Sequence, residues 1–282
     1  MVLTGCGRSG QPLKTGTYRF DDSTSRADLT FVLELPETDK GTAGIIRRGL
    51  VDIMDSQLAY IASYEGKRLF PEYDGNFSDT DALIEYYRSN ALEALDFSAN
   101  ADFEERKSYI LEDPDMNDAE KARMLDYVPR YEYDFSLTKE YETDRYAVFS
   151  SMDYVYLGGA HGGVNGQGSV TFDKRNGRRF KDFIKPDALE PMQDLLVKGL
   201  TEYFADNAGS VTEDNVREFL FLDSDNIPLP AWSPAPTEEG LCFTYKQYEI
   251  AAYASGMPSF VIPYDEVKPF LTDEARNLLN LK

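Results

Sequence analysis

The sequence predicts an α+β protein with a mainly antiparallel sheet and helices packed on it in a two-part architecture. Three observations carry that expectation. Stretches with apolar residues three and four apart alternate with stretches in which every second residue is apolar, so helices and half-buried strands are interleaved. No regular strand–helix–strand spacing recurs, which argues against a doubly wound parallel sheet. The 282 residues are also 42% hydrophobic and 13% aromatic, enough for a sizeable core.

Taken in order, residues 1–16 read as a lipobox and linker, 17–128 as a smaller amino-terminal α+β domain, and 129–282 as an α+β domain carrying the Gly-Gly-Ala-His motif. Leu29 to Leu35 form a strand ended by Pro36. Ile46, Leu50, Ile53/Met54, Leu58 and Ile61 share one helical stripe. A second helix is expected from a Ser78 cap, with Leu83/Ile84, Tyr87, Ala91 and Leu95 on its apolar face. Asn117 and Glu120 are spaced as a capping box for a short helix ending near Tyr127.

The period then changes to two. Tyr131, Tyr133, Phe135 and Leu137 alternate with polar residues, and Tyr141 to Leu157 reads as one or two further strands. Asn176-Gly177 predicts a two-residue hairpin turn, since both residues tolerate positive φ. Asp187 with Glu190 is expected to open a long helix, and Thr212 to Leu220 a shorter one. Four prolines make 227–239 a loop. Leu241 to Tyr245 and Ser259 to Ile262 are strands, and Tyr264 to Leu281 is helical in character.

Charge narrows the function classes. Lys and Arg number 29 against 50 Asp and Glu, a formal charge of −21, spread over both halves of the chain. A surface of that sign opposes phosphate-mediated nucleic-acid binding; it reads either as a solvated, colloidally stable surface or as one that steers a cationic partner. No apolar run reaches the roughly 18 residues of a spanning helix. The segment Lys174-Arg175-x-x-Arg178-Arg179-x-Lys181 concentrates five cations near the predicted turn and reads as a solvated hairpin tip, with engagement of anionic lipid or glycan as the alternative.

Leu3-Thr4-Gly5-Cys6 has the form of a bacterial lipobox, in which Cys6 becomes the lipid attachment site. Only Met1 to Gly5 precede it, so that reading expects an apolar signal segment upstream of Met1. Membrane association is then expected only through this anchor, at the periplasmic or extracellular face of the cell envelope. Cys242, in an apolar run, is expected to be a buried small hydrophobe.

His161 is the only histidine, so a zinc site built on several histidines is not available. Asp113-x-Asp115-x-Asn117 begins like a calcium loop, yet Asp118 and Met124 stand where glycine and glutamate are needed. Gly158-Gly159-Ala160-His161-Gly162-Gly163 lacks the Lys-Ser/Thr of a phosphate-binding loop. No metal, no cofactor and no catalytic residue is therefore expected, and the glycines read as a sharp connection between strands.

Together, Tyr156 to Gly162, Phe172-Asp173, Asn176-Gly177 and Phe180 to Phe183 resemble the signature of one bacterial envelope domain. Leu241 to Tyr245, Tyr248 to Gly256 and Val261 to Tyr264 are similar to its carboxy-terminal half. This is the domain of unknown function found outside the membrane in RsiV-like anti-sigma factors and in PdaC-type peptidoglycan deacetylases. Residues 17 to about 98 resemble the smaller domain that precedes it. The resemblance implies a non-enzymatic envelope lipoprotein that binds a protein or cell-wall ligand, with a lysozyme-like muramidase as one candidate. Its motif residues here are Gly158, Gly159, Ala160, His161, Gly162, Tyr248, Tyr253, Gly256, Pro263 and Tyr264, without an assigned role. The alternatives are a cell-wall hydrolase or other enzyme centred on the glycine–histidine loop, and a peptidoglycan- or glycan-binding module using exposed aromatics.

Overall fold

The structure, a computed structural model, describes residues 11–127, 130–159, 162–208 and 211–282. Its centre is a six-stranded sheet. The strands are β1 (Thr15–Ser23), β2 (Ala27–Pro36), β5 (Tyr131–Glu142), β6 (Tyr146–Leu157), β7 (Gly163–Asp173) and β8 (Arg178–Phe180), hydrogen-bonded in that order. A two-stranded ribbon, β3 (Ser63–Tyr64) and β4 (Lys67–Arg68), and a small sheet of β9 (Ala235–Pro236), β10 (Gly240–Thr244) and β11 (Ser259–Pro263) complete the strands among the described residues. The helices are α1 (Gly41–Leu58), α2 (Thr80–Glu112), α3 (Asp118–Asp126), α4 (Gln193–Ala208), α5 (Tyr264–Val267) and α6 (Asp273–Leu278).

The α+β class expected from the sequence is what the chain adopts. Strand pairs are antiparallel except one: β2 runs parallel to β5, with Ala27 opposite Tyr131 and Leu33 opposite Leu137. Parallel neighbours need a long crossover, and here α1, α2 and α3 supply it. The expected boundary at 128/129 thus falls between two strands that are neighbours in one sheet.

Alternation along the strands divides the apolar residues into two cores. Leu29, Phe31, Leu33 and Leu35 of β2, Tyr133, Phe135 and Leu137 of β5, and Ala147 and Phe149 of β6 pack with α1 and α2. Tyr146 and Val148, one residue out of phase on β6, pack on the opposite face with α4, the small sheet and the carboxy-terminal helices. The sheet is therefore the shared wall of both cores.

Several elements differ from expectation. β1 was not anticipated, although Tyr18 and Phe20 alternate with polar neighbours and Phe20 stacks on Phe31 with ring centroids 4.7 Å apart. The α2 cap is Asp79, whose side chain accepts from Ala82 N at 3.0 Å; Ser78 Oγ instead bonds Asp39. The long helix predicted from Asp187 is regular only from Gln193, preceded by turns, and the 212–220 segment holds a turn followed by a 3₁₀ helix at Val216–Phe219 instead of an α-helix.

The β7–β8 connection is also not a two-residue turn. Asp173 pairs with Arg178, leaving four residues in the loop, and Gly177 alone takes a positive φ of 74°. Asn176 is held by its own side chain, with Oδ1 accepting from Arg178 N at 2.7 Å and Nδ2 donating to Asp173 Oδ2 at 3.2 Å. Cys242 is half-buried rather than core, because Leu241 and Phe243 take the inward face of β10 and leave it pointing the other way. The α3 capping box forms as the spacing of Asn117 and Glu120 predicts.

Candidate functional site

The motif residues singled out in the sequence divide into a group that converges and a group that supports it. Helix α1 lies on the inner face of the sheet and runs antiparallel to β7: Gly49 lies against Phe172, and Gln57 near Gly166. Its carboxy-terminal end therefore reaches the turn between β6 and β7. The chain from Gln247 to Tyr253 approaches the same turn from the carboxy-terminal half.

Together these segments line an open groove of about 390 Å³. Tyr60, Val155, Leu157, Val164, Tyr248 and Tyr253 provide its apolar and aromatic surface, and Gly159, Gly162, Gly163 and Gln247 its backbone-rich wall. Tyr253 Oη donates to the Gly162 carbonyl at 2.9 Å, which fastens the glycine turn to a segment 91 residues away. Tyr156 Oη donates to the Gly159 carbonyl at 3.1 Å. The Tyr248 and Tyr253 rings lie 5.5 Å apart, tilted by 42°.

Tyr248 is 63% exposed and Tyr60 50%, so their rings face solvent instead of a core. Tyr248 also has a φ of 64°, in the left-handed region that costs an ordinary residue about 1–2 kcal/mol. An exposed aromatic held in a strained backbone is a feature of binding surfaces.

The remaining motif residues build the frame. Gly158 and Gly256 each have φ near 70°, and Gly256 ends the 3₁₀ turn Tyr253–Ser255 that carries Tyr253. A side chain at 256 would be strained by that φ and would also approach Tyr203 Oη to 3.0 Å. Pro263 closes β11, and Tyr264 Oη donates to the Thr237 carbonyl at 2.8 Å. Burial raises the Tyr264 pKa, consistent with a structural role away from the groove. Ala160, His161 and Cys6, the lipid-attachment residue expected from the sequence, lie outside the described residues.

Farther along the sheet, beneath α1, lies a buried polar layer that the sequence pattern does not predict. Ser151 Oγ donates to Gln57 Oε1 at 2.6 Å, and Tyr133 Oη donates to Asp153 Oδ2 at 3.5 Å. Loss of water around Tyr133, then the adjacent Asp153 charge, drives that phenol far above its ordinary pKa. The out-of-pattern polar residues Ser151 and Asp153 on an otherwise apolar strand face were the available signal.

The fold has solved counterparts, and part of the chain matches a domain family whose function is undefined. Residues 181–265 match the sequence profile of a family described as "Protein of unknown function (DUF3298)". The match contains Tyr248, Tyr253, Gly256, Pro263 and Tyr264, while the glycine turn at 158–163 lies before it. Two solved structures of DUF3298 family proteins share the fold. One, from Bacteroides fragilis NCTC 9343, has a TM-score of 0.66 at 18% identity, covering 97% of this chain and 98% of that one. The other, from Pseudomonas aeruginosa PAO1, has a TM-score of 0.56 at 15% identity, covering 94% and 97%. No curated protein matched the sequence.

Proposed function

We propose that the protein is a non-enzymatic extracytoplasmic binding module of the RsiV-like kind, lipid-anchored through Cys6, whose tyrosine groove receives a protein or cell-wall ligand. The observation that carries the reading is the convergence of Gly159, Gly162, Tyr248 and Tyr253, distant in sequence, around one open groove. Exposed tyrosines suit recognition because each offers a rigid apolar body with a polar tip. The −21 charge favours a cationic protein, so a lysozyme-like muramidase is the first ligand to test.

Titration of the purified chain with a basic lysozyme, and sedimentation with insoluble cell-wall material, separates the two ligand classes. Binding of either that is weakened roughly tenfold or more by Tyr248→Ala supports the groove reading. Absence of binding to both, or binding indifferent to Tyr248→Ala, overturns it. Wall hydrolysis lost in His161→Ala would establish an enzyme in its place.

A further inference from the structure

At the far end of β7 from the tyrosine groove lies a second, chemically different cavity. Alternation puts Gly166, Gly168, Val170 and Phe172 on the face of β7 beneath α1. The two glycines stand opposite Asp153 and Ser151 and leave a trough without side chains of its own. Trp232, the only tryptophan in the chain, lies in it: a Cβ at position 168 would come within 2.0 Å of its ring.

The trough opens into a cavity of about 530 Å³, within the ordinary range for small-ligand sites. Its walls include Arg48 from α1 and Arg178 and Arg179 from the β7–β8 hairpin. Arg179 pairs with Phe172 across the strands and so projects to the α1 face, where its guanidinium carbon is 6.0 Å from the Trp232 ring centre. Lys246 Nζ is 5.3 Å from the same ring.

The cations of the hairpin have different fates. Lys174 is bound to Glu142 and Arg175 to Asp173, so the five do not form one solvated tip. By contrast Arg48, Arg178 and Arg179 have no ion-pair partner among the described residues. Burial alone lowers the Arg179 pKa, with no carboxylate offsetting it. Asp52 is the single carboxylate among the lining residues, so the wall stays net cationic in a strongly acidic chain. Gln57 lines the cavity too; its Oε1 is taken by Ser151, and its buried Nε2 donor has no partner.

We propose that this cavity binds a carboxylated sugar ring, with Arg179 on the carboxylate, Trp232 under the apolar ring face and the Gln57 amide donating to a hydroxyl. Arginine matches a carboxylate bidentately, an indole face takes a flat apolar surface, and an unpaired buried donor gains from any acceptor brought to it.

Trp232 reports on the site directly, because no other tryptophan contributes to the emission. The full chain is titrated with glucuronate and with N-acetylmuramate to tens of millimolar at constant ionic strength. Glucose and N-acetylglucosamine serve as uncharged counterparts and inorganic phosphate as a bare anion. The expected result is a saturable change in Trp232 emission with one or both acids, none with the neutral sugars, and affinity weakened about tenfold or more in Arg179→Gln. Calorimetry on Trp232→Phe should show weakened heat of binding for the same acid. No saturable change with either acid, an equal response to phosphate or to the neutral sugars, or an unaffected Arg179→Gln would overturn the proposal. Tyr248→Ala should leave this signal intact, which keeps the outcome separate from that of the tyrosine groove.

Discussion

Gly168 and Tyr248 show how single positions set the two cavities. The Trp232 ring occupies the space a side chain at 168 would need, so Gly168→Val should displace it. A red shift of the sole tryptophan emission and a stability loss of about 1–3 kcal/mol in urea are the expected results. Tyr248 is the reverse case, an exposed ring on a left-handed backbone. Tyr248→Gly should leave stability unchanged or raise it by about 1 kcal/mol while weakening ligand binding. A chemical melt alongside a binding titration tests both arms, and a clear loss of stability would remove the strain argument. The converging tyrosines could be picked out in the sequence, but their shared groove could not, because Tyr253 meets Gly162 across 91 residues.

At the scale of elements, periodicity identified most helices and strands and capping chemistry placed some of their ends. Where it failed, a side chain had a better partner than the local pattern offered. Ser78 bonds Asp39, leaving the α2 cap to Asp79, and Asn176 bonds Asp173 and Arg178 instead of adopting a positive φ. Helices α1 and α2 are joined to the β3–β4 ribbon by a polar knot. Arg68 from the ribbon donates to both oxygens of Asp55 at 2.9 and 3.1 Å, and Tyr87 Oη donates to the same carboxylate at 3.2 Å. Arg68→Ala would strand a nearly buried carboxylate and should cost about 1–3 kcal/mol, measurable as a lower urea midpoint at unchanged slope. An unchanged midpoint would mean that water replaces the guanidinium freely.

Over the whole molecule, Glu142 gathers distant segments. Its carboxylate accepts from Leu13 N at 2.6 Å, from Lys139 Nζ at 3.0 Å and from Lys174 Nζ, tying the amino-terminal strand approach to both hairpins. Desolvation raises its pKa, but the bonds from Lys174, Leu13 and Lys139 together outweigh that and hold it below the ordinary 4.5. Because the folded value is the lower one, this stabilisation is complete above the ordinary carboxylate range and disappears as pH falls through the folded pKa. Thermal melts of the wild type and Glu142→Gln should therefore differ at neutral pH and converge in acid; a gap that persists at low pH would refute the linkage. The −21 charge acts at this scale too. Association with a cationic protein should slow steeply as salt rises, whereas screening of the self-repulsion should make the free chain more stable.

The sequence by itself determined the α+β class, the alternation that divides residues between faces, the α3 capping box and the acidic balance, since each depends on neighbours within a turn or a strand. Tertiary contacts alone set that β2 joins β5 in parallel, that Arg179 and Lys246 approach the Trp232 ring while Lys174 and Arg175 are neutralised, and that two glycines of β7 open a trough beneath α1. Those features depend on which long-range surfaces meet, and contact between distant segments leaves no periodicity to read.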